Sequence, residues 1–312
     1  MKRTVLPTLL IAIATVSACE TVVDVKLPPH EAQLVAQSLF VPDSLWRVNV
    51  SMTAPTTGFQ EPGFVDDATV EIWDGNRRVE QLRPIGQGTY TSAANRPAPE
   101  KTYTLRVSAP GMGQSEGTGI VPPAARVSAF EQQNIEEDTG GHFGRRIMRV
   151  ELTVDDPADV RNYYGLQIIQ HRHVVNSATG ETSSLPQTTF TFASNDPALG
   201  EADVFDPEKS RYDEAIFNDD LFDGRPHTLD FEFEYTVDLR DTDVKIERLF
   251  VVLFMTVSAD YFNYWKTSEL QNTVGDNPFA EPVRVYSNMT GGLGIFAGYH
   301  AQAFPLTRYD GE

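Results

Sequence analysis

One thiol, two histidines two residues apart and a dense run of carboxylates are the side chains in this 312-residue chain whose types and spacing invite chemistry. Cys19 is the sole cysteine, and it follows an apolar stretch from Val5 to Val16 and the small pair Ser17-Ala18. No second cysteine exists to form an intrachain disulfide, so the thiol is free to accept a covalent lipid. His171 and His173 fall on one face of an expected strand, as some metal ligands do. Zinc needs three or four ligands, and no third is near in sequence. The run Asn218 to Asp230 invites a calcium reading. An EF-hand loop places oxygen ligands at its first, third, fifth and twelfth positions. Counting from Asp219, the third is Leu221 and the twelfth is Asp230 rather than glutamate, so the EF-hand motif fails, which leaves a solvated turn held by Asx hydrogen bonds as the main reading and a calcium site of another kind as the alternative. Nucleophilic catalysis has no Gly-x-Ser-x-Gly elbow to build on. Among 44 acidic residues some pairs must meet in space, so their number is no sign of a glycosidase pair. The glycines from Gly291 to Gly298 lack the lysine of a phosphate loop and read as turns and close strand approaches. No catalytic residue, metal ligand set or cofactor is indicated.

The setting of Cys19 is more telling. Lys2 and Arg3 form a charged start, and the 12-residue apolar stretch is well short of the ~20 residues that span a bilayer. Secretory signals are built this way. Val16-Ser17-Ala18-Cys19 resembles the lipobox of bacterial lipoproteins, with valine in the usual place of leucine. That resemblance implies a signal peptide over residues 1–18, a thioether diacylglycerol on Cys19 and acylation of the new amino terminus. At ~0.8 kcal/mol per buried CH₂, one acyl chain holds marginally, whereas two or three hold stably. Glu20 rather than aspartate after the cysteine fits delivery to the outer membrane, on a face the sequence leaves open. The formal balance is 25 basic against 44 acidic residues, or −19, and cleavage would take it to 23 against 44, or −21. Such a charge repels nucleic acid and anionic headgroups.

Residues 19–33 read as a polar tether carrying Pro28-Pro29. Beyond it, apolar residues recur with period two, as in half-buried strands. Trp46, Val48, Val50 and Met52 form one such set, Val70 and Ile72 another, and Tyr103, Leu105 and Val107 a third. Gly88-Thr89-Tyr90 through Leu105 resembles immunoglobulin-like or carboxypeptidase-regulatory-like modules. In those a glycine usually precedes the Tyr-Thr-Leu strand, where this chain has Glu100-Lys101. An immunoglobulin-like sandwich is therefore expected over 34–123, ending at the stiff Val121-Pro122-Pro123. A larger β domain over 124–312, sandwich or barrel-like, opens on a polar loop from Gln132 to Gly144. Its strands centre on Met148 to Val154, Tyr164 to Ile168 and Leu229 to Leu239. Tyr163 and Gln167 share the histidine face and suit an exposed surface. Leu249 to Val257 is apolar on both faces, as a strand covered on each side would be. One helix is expected near 258–274, with Ser258 as N-cap and a stripe of Tyr261, Tyr264, Trp265, Ser268 and Thr273 that seals a sheet.

The carboxy-terminal block carries a second resemblance. Asn277-Pro278-Phe279-Ala280-Glu281-Pro282, then Ser287-Asn288-Met289-Thr290-Gly291-Gly292-Leu293-Gly294 through Tyr299, is similar to the ending of DUF4249, a Bacteroidota lipoprotein family. Asn218 to Gly224, the helix after Ser258 and Asp67 to Ile72 fit the same family. The resemblance implies an exported lipoprotein encoded beside a TonB-dependent outer-membrane receptor, and it brings no catalytic residues. The expectation is a mainly β protein, lipid-anchored to the outer membrane, that binds a nutrient as an accessory to TonB-dependent uptake and is not an enzyme. Its expected partners are the membrane and such a receptor, with no nucleic acid. A surface hydrolase for glycans or peptides and a structural or adhesive envelope protein are the alternatives.

Overall fold

The computed structural model describes residues 31–55, 63–137, 143–176, 178–200, 211–238, 244–275, 281 and 283–306. Cys19, the apolar run before it, most of the tether, Leu239, Asn277-Pro278-Phe279-Ala280 and Pro282 lie outside the described residues. From Ala32 onward the chain clusters as one compact unit. The strands are β1 Leu34–Phe40, β2 Arg47–Met52, β3 Thr69–Asp74, β4 Arg77–Gln81, β5 Arg83–Gly86, β6 Thr89–Thr91, β7 Thr102–Ala109 and β8 Gly113–Ile120. After Pro123 come β9 Arg126–Glu137, β10 Phe143–Asp155, β11 Tyr163–Asn176, β12 Thr182–Ser184, β13 Thr188–Thr189 and β14 Phe192–Ala193. Then follow β15 Arg211–Tyr212, β16 Glu214–Asn218, β17 Pro226–Asp238, β18 Val244–Val257, helix α1 Ala259–Gly275, β19 Met289–Thr290 and β20 Leu293–Pro305.

The longest sheet runs β12-β11-β18-β20-β1-β2-β6-β5, with β13 and β16 also paired to β11. It is the shared wall of two sandwiches. Over β1, β2 and β6 it is covered by β19-β8-β7-β3-β4, and Trp46, Val48, Tyr90, Ile72, Leu105 and Phe296 fill the space between. Over β11 and β18 it is covered by β15-β14-β17-β10-β9, around Leu166, Ile168, Val252, Phe254, Phe231 and Val150. Each such buried side chain contributes roughly 1.5–3 kcal/mol, which is how a chain with one cysteine can hold together. All described sheets are open, so the larger half is sandwich-like and not a closed barrel.

Helix α1 lies on the other face of the long sheet. Tyr261 packs there with Ile216, Met255, Val257, Ile295 and Ala297. This explains why Leu249 to Val257 carries apolar residues on both faces: Val252 and Phe254 point into a sandwich, Met255 and Val257 toward the helix. Ser258 caps the helix as expected, its hydroxyl accepting from the Tyr261 amide at 3.4 Å.

The end of the chain joins its beginning. β20 pairs parallel with β1, Val35 opposite Leu293 and Phe40 opposite Gly298, so Phe296 completes the core built by residues 34–121. The glycines of the terminal block make that approach possible. A Cβ on Gly294, at φ +122, would lie 1.9 Å from the Ala36 carbonyl oxygen, and one on Gly298 would lie 2.2 Å from that of Ile120. Asn288 locks the crossing: its amide donates to the Thr118 and Phe296 carbonyls and accepts from the Phe296 amide.

Two expectations are corrected. Gln132 to Gly144 is not a loop in its described part: β9 carries residues 132–137 and β10 begins at Phe143. β10 supplies a full antiparallel ladder, Gln132 opposite Val150 and Ile135 opposite Ile147, so partner strand overrides local polarity. Tyr163 is not on an exposed face, because α1 covers it and Phe262 sits 4.6 Å from its ring. Glu100, where related modules place glycine, takes φ +58, the left-handed conformation that glycine adopts without strain.

Candidate functional site

The acidic run resolves into a structural knot. Asp156, Asp219 and Asp223 bring carboxylate oxygens within 4.8 Å of one another. Asp156 is inherited from the turn that ends β10, far from the run in sequence. Its Oδ1 accepts from the Tyr164 hydroxyl at 2.6 Å and its Oδ2 from the Gly224 amide at 2.9 Å. Asp219 Oδ2 accepts from the Asn162 amide at 2.6 Å. Burial, and then the charge of Asp156, push the Asp219 carboxyl above the usual aspartate range. Three carboxylates can attract a hard cation, but calcium asks for six to eight oxygens. The donors to Asp156 and Asp219 clip the loop after β16 onto the start of β11.

The histidine pair gathers no metal set. His171 meets the Gln187 amide at 3.0 Å and His173 the Ser184 hydroxyl at 3.1 Å. Among the described residues no third histidine, cysteine or carboxylate joins them.

Two surface clefts stand out among the described residues. The larger, about 870 Å³, lies on the outer face of β3, β7, β8 and β19 and is closed on one side by Asp260 and Asn288. Strand register lays its floor in rows. Glu71, Arg106, Glu116 and Thr290 form one, and Thr69, Ser108 and Gln114 another. The Arg106 guanidinium sits 4.5 Å over the Trp73 ring while its Nε donates to Glu116 at 2.8 Å. Hydroxyls, amides, carboxylates and one guanidinium thus face a common space.

The smaller cleft, about 630 Å³, opens between α1 and β15–β16, lined by Arg211, Tyr212, Asp213, Glu214, Trp265 and neighbouring helix residues. Glu214 shares a strand face with Ile216, the face the helix covers. Its carboxylate accepts from the Tyr261 hydroxyl at 3.4 Å and from the Trp265 indole N–H at 3.3 Å. Burial pushes it above the usual glutamate range, against the effect of those two bonds. Tyr261 and Tyr299 are in turn raised by burial first and by the Glu214 charge next.

Of the residues that the sequence singled out, Tyr261 and Trp265 reach the smaller cleft's carboxylate, and Ser268 and Thr273 line the cleft. Tyr264 packs against the core under the helix. Glu214 and Arg106 were missed. The alternation from Ile216 was the signal for Glu214, since it carries that carboxylate to the apolar face. Cys19 lies outside the described residues; among the described residues no helix is long and apolar enough to cross a membrane.

A family described as a domain of unknown function, DUF4249, matches residues 20–303. Among curated proteins none matches the chain. Similar solved structures include three amino-terminal domains of the outer capsid protein Hoc of bacteriophage RB49, at 14% identity and a TM-score of 0.21, over 72% of this chain and 64% of that one. The chain thus spans somewhat under two thirds of that structure. A chaperone–tip adhesin complex of CFA/I fimbriae matches at 7% identity and a TM-score of 0.20, over 70% and 83%. The B domain of a biofilm-associated protein matches at 7% and 0.17, over 87% and 85%. Likenesses this weak carry no argument about function.

Proposed function

We propose, since this chain belongs to the DUF4249 family and takes no activity from that membership, that it is a binding protein lipid-anchored through Cys19 to the outer membrane. It captures a polar nutrient and hands it to a TonB-dependent receptor, without catalysis. The observation that carries the binding reading is the larger groove. Its walls come from β3, β7–β8, the start of α1 and the Asn288–Gly291 turn, so hydrogen-bonding groups from four stretches of chain converge on one space. Anchoring is supported by the lone Cys19 behind its apolar run, and the receptor by the family resemblance.

A thermal-shift screen of the detergent-extracted protein against sugars, peptides and metal chelates tests the binding reading. One class should raise Tm, and Arg106→Ala should abolish the rise. Anchoring is tested by mass spectrometry of the mature amino-terminal peptide, which should carry a diacylglyceryl group on Cys19. An unmodified thiol there, or a purification in mild detergent that never brings a receptor along, would overturn the anchoring and partner parts respectively. Turnover of a glycan or peptide that stops when a groove carboxylate is substituted would replace binding with hydrolysis.

A further inference from the structure

We propose that the cleft between α1 and β15–β16 is a separate site for a small organic cation, an alkylammonium or guanidinium group seated against the Glu214 carboxylate and the Trp265 and Tyr212 side chains. This does not depend on the anchor, the receptor or the larger groove.

Glu214 has a structural duty: it receives the Tyr261 hydroxyl and the Trp265 indole N–H and so ties α1 to the sheet. A glutamine would receive both without the cost of a desolvated charge. Two neutral donors at 3.3 and 3.4 Å leave an ionised carboxylate, with about four accepting positions, far from satisfied. The same residue lines an open cleft of about 630 Å³, within the size range of small-ligand sites. The cleft's charges favour a cation: Asp213, Glu214 and Glu269 stand against Arg211 alone. Lys266 reaches Glu269 only at 3.9 Å and spends its charge over the Trp265 and Phe262 rings. The Tyr212 ring on the cleft wall adds the attraction of a π system for a cation. The net charge of −19 raises the local concentration of cations.

Binding should be linked to proton release. The titratable groups around Glu214 are Tyr261 from α1, Tyr299 from β20, and Arg211, Tyr212 and Asp213 from the residues just before it, with Glu269 and Lys266 at the rim. Glu214 is a carboxyl held high by burial, so a bound cation draws it back down and expels the proton fraction it carried.

Isothermal titration of the full protein tests this, with n-butylammonium and guanidinium chlorides as probes and n-butanol as the neutral isostere. Two buffers of different ionisation enthalpy are used, at a pH just above the ordinary glutamate range. At least one cation should bind saturably with Kd near or below ~1 mM, release protons and be lost at least tenfold in Glu214→Gln, while n-butanol gives no saturable heat. Asn272→Trp, which leaves Glu214 in place and fills the cleft, should abolish binding as well, and it decides the matter if Glu214→Gln fails to fold. Equal binding of n-butanol, undiminished binding in a folded Glu214→Gln or in Asn272→Trp, or no saturable heat with either cation would overturn the proposal. Undiminished cation binding in Arg106→Ala would keep the site distinct from the larger groove.

Discussion

Two carboxylate sites of this protein, the Asp156–Asp219 cluster and the half-buried Glu214 with its exposed neighbours, differ in what donates to them. Asp156 and Asp219 receive backbone amides and a tyrosine hydroxyl at 2.6–2.9 Å. Glu214 receives only a phenol and an indole, at 3.3–3.4 Å, and faces a cleft. Short bonds, two of them from backbone amides, fix a loop. Long bonds from side chains leave the charge available. The distinction between a structural acid and a ligand-ready one therefore lies in the donors, since burial raises both Asp219 and Glu214.

The largest effect should come from breaking the structural cluster. Asp156→Ala leaves the buried Tyr164 hydroxyl and the amide of the exposed Gly224 without their acceptor. A loss of about 3 kcal/mol in urea unfolding is expected. A loss below about 1 kcal/mol would mean that the loop is held by other contacts and that the comparison fails.

A matched pair of tyrosines sharpens it. Tyr164→Phe removes a 2.6 Å bond to a carboxylate and should cost roughly 2 kcal/mol, in line with hydrogen bonds to charged groups. Tyr261→Phe removes a 3.4 Å bond and should cost less than about 1 kcal/mol. Equal losses would show that the donor geometry does not separate the sites.

Glu214→Gln should act in the opposite direction. The folded carboxyl lies above its unfolded value, so the native state binds its proton more tightly. That contribution is fully present below the unfolded glutamate range and is lost as pH rises through the folded pKa. The glutamine carries no such dependence. At neutral pH the variant should melt at or above the parent, and at acid pH the parent should gain relative to it. A variant that melts lower at neutral pH and does not recover at acid pH would make Glu214 a structural acid like Asp156.

Much of this was legible from spacing alone. Period-two runs located Trp46, Ile72, Leu105, Val150 and Phe231 in cores, and the double-faced apolar run at Leu249 to Val257 foretold a sheet covered on both sides. Ser258 marked the helix start. The sites were not legible, because they are made by pairs distant in sequence. Asp156 meets Asp219 only after β11 has formed, and Glu214 meets Trp265 only when α1 lies across the long sheet. The β9 strand was hidden by its own polarity and revealed by its partner β10. Sequence patterns record which face a residue occupies, and they do not record which donor will arrive there.

The smallest test concerns an acidic residue that neither cluster uses and so sets a baseline for acid substitutions with no charge role. Glu100 is exposed, holds φ +58 and gives its amide to the Val121 carbonyl at 3.0 Å. A left-handed conformation costs an L-residue roughly 1–2 kcal/mol. Glycine escapes that cost but loses more backbone freedom on folding, about 0.5–1 kcal/mol. The difference leaves a net gain of about 0.5 kcal/mol for Glu100→Gly, since the amide bond is kept whichever residue stands there. Urea unfolding would register it as a higher midpoint with an unchanged slope. A lower midpoint would mean that the Glu100 side chain contributes more than its backbone strain costs, and that carboxylates on this protein cannot be sorted by their donors alone.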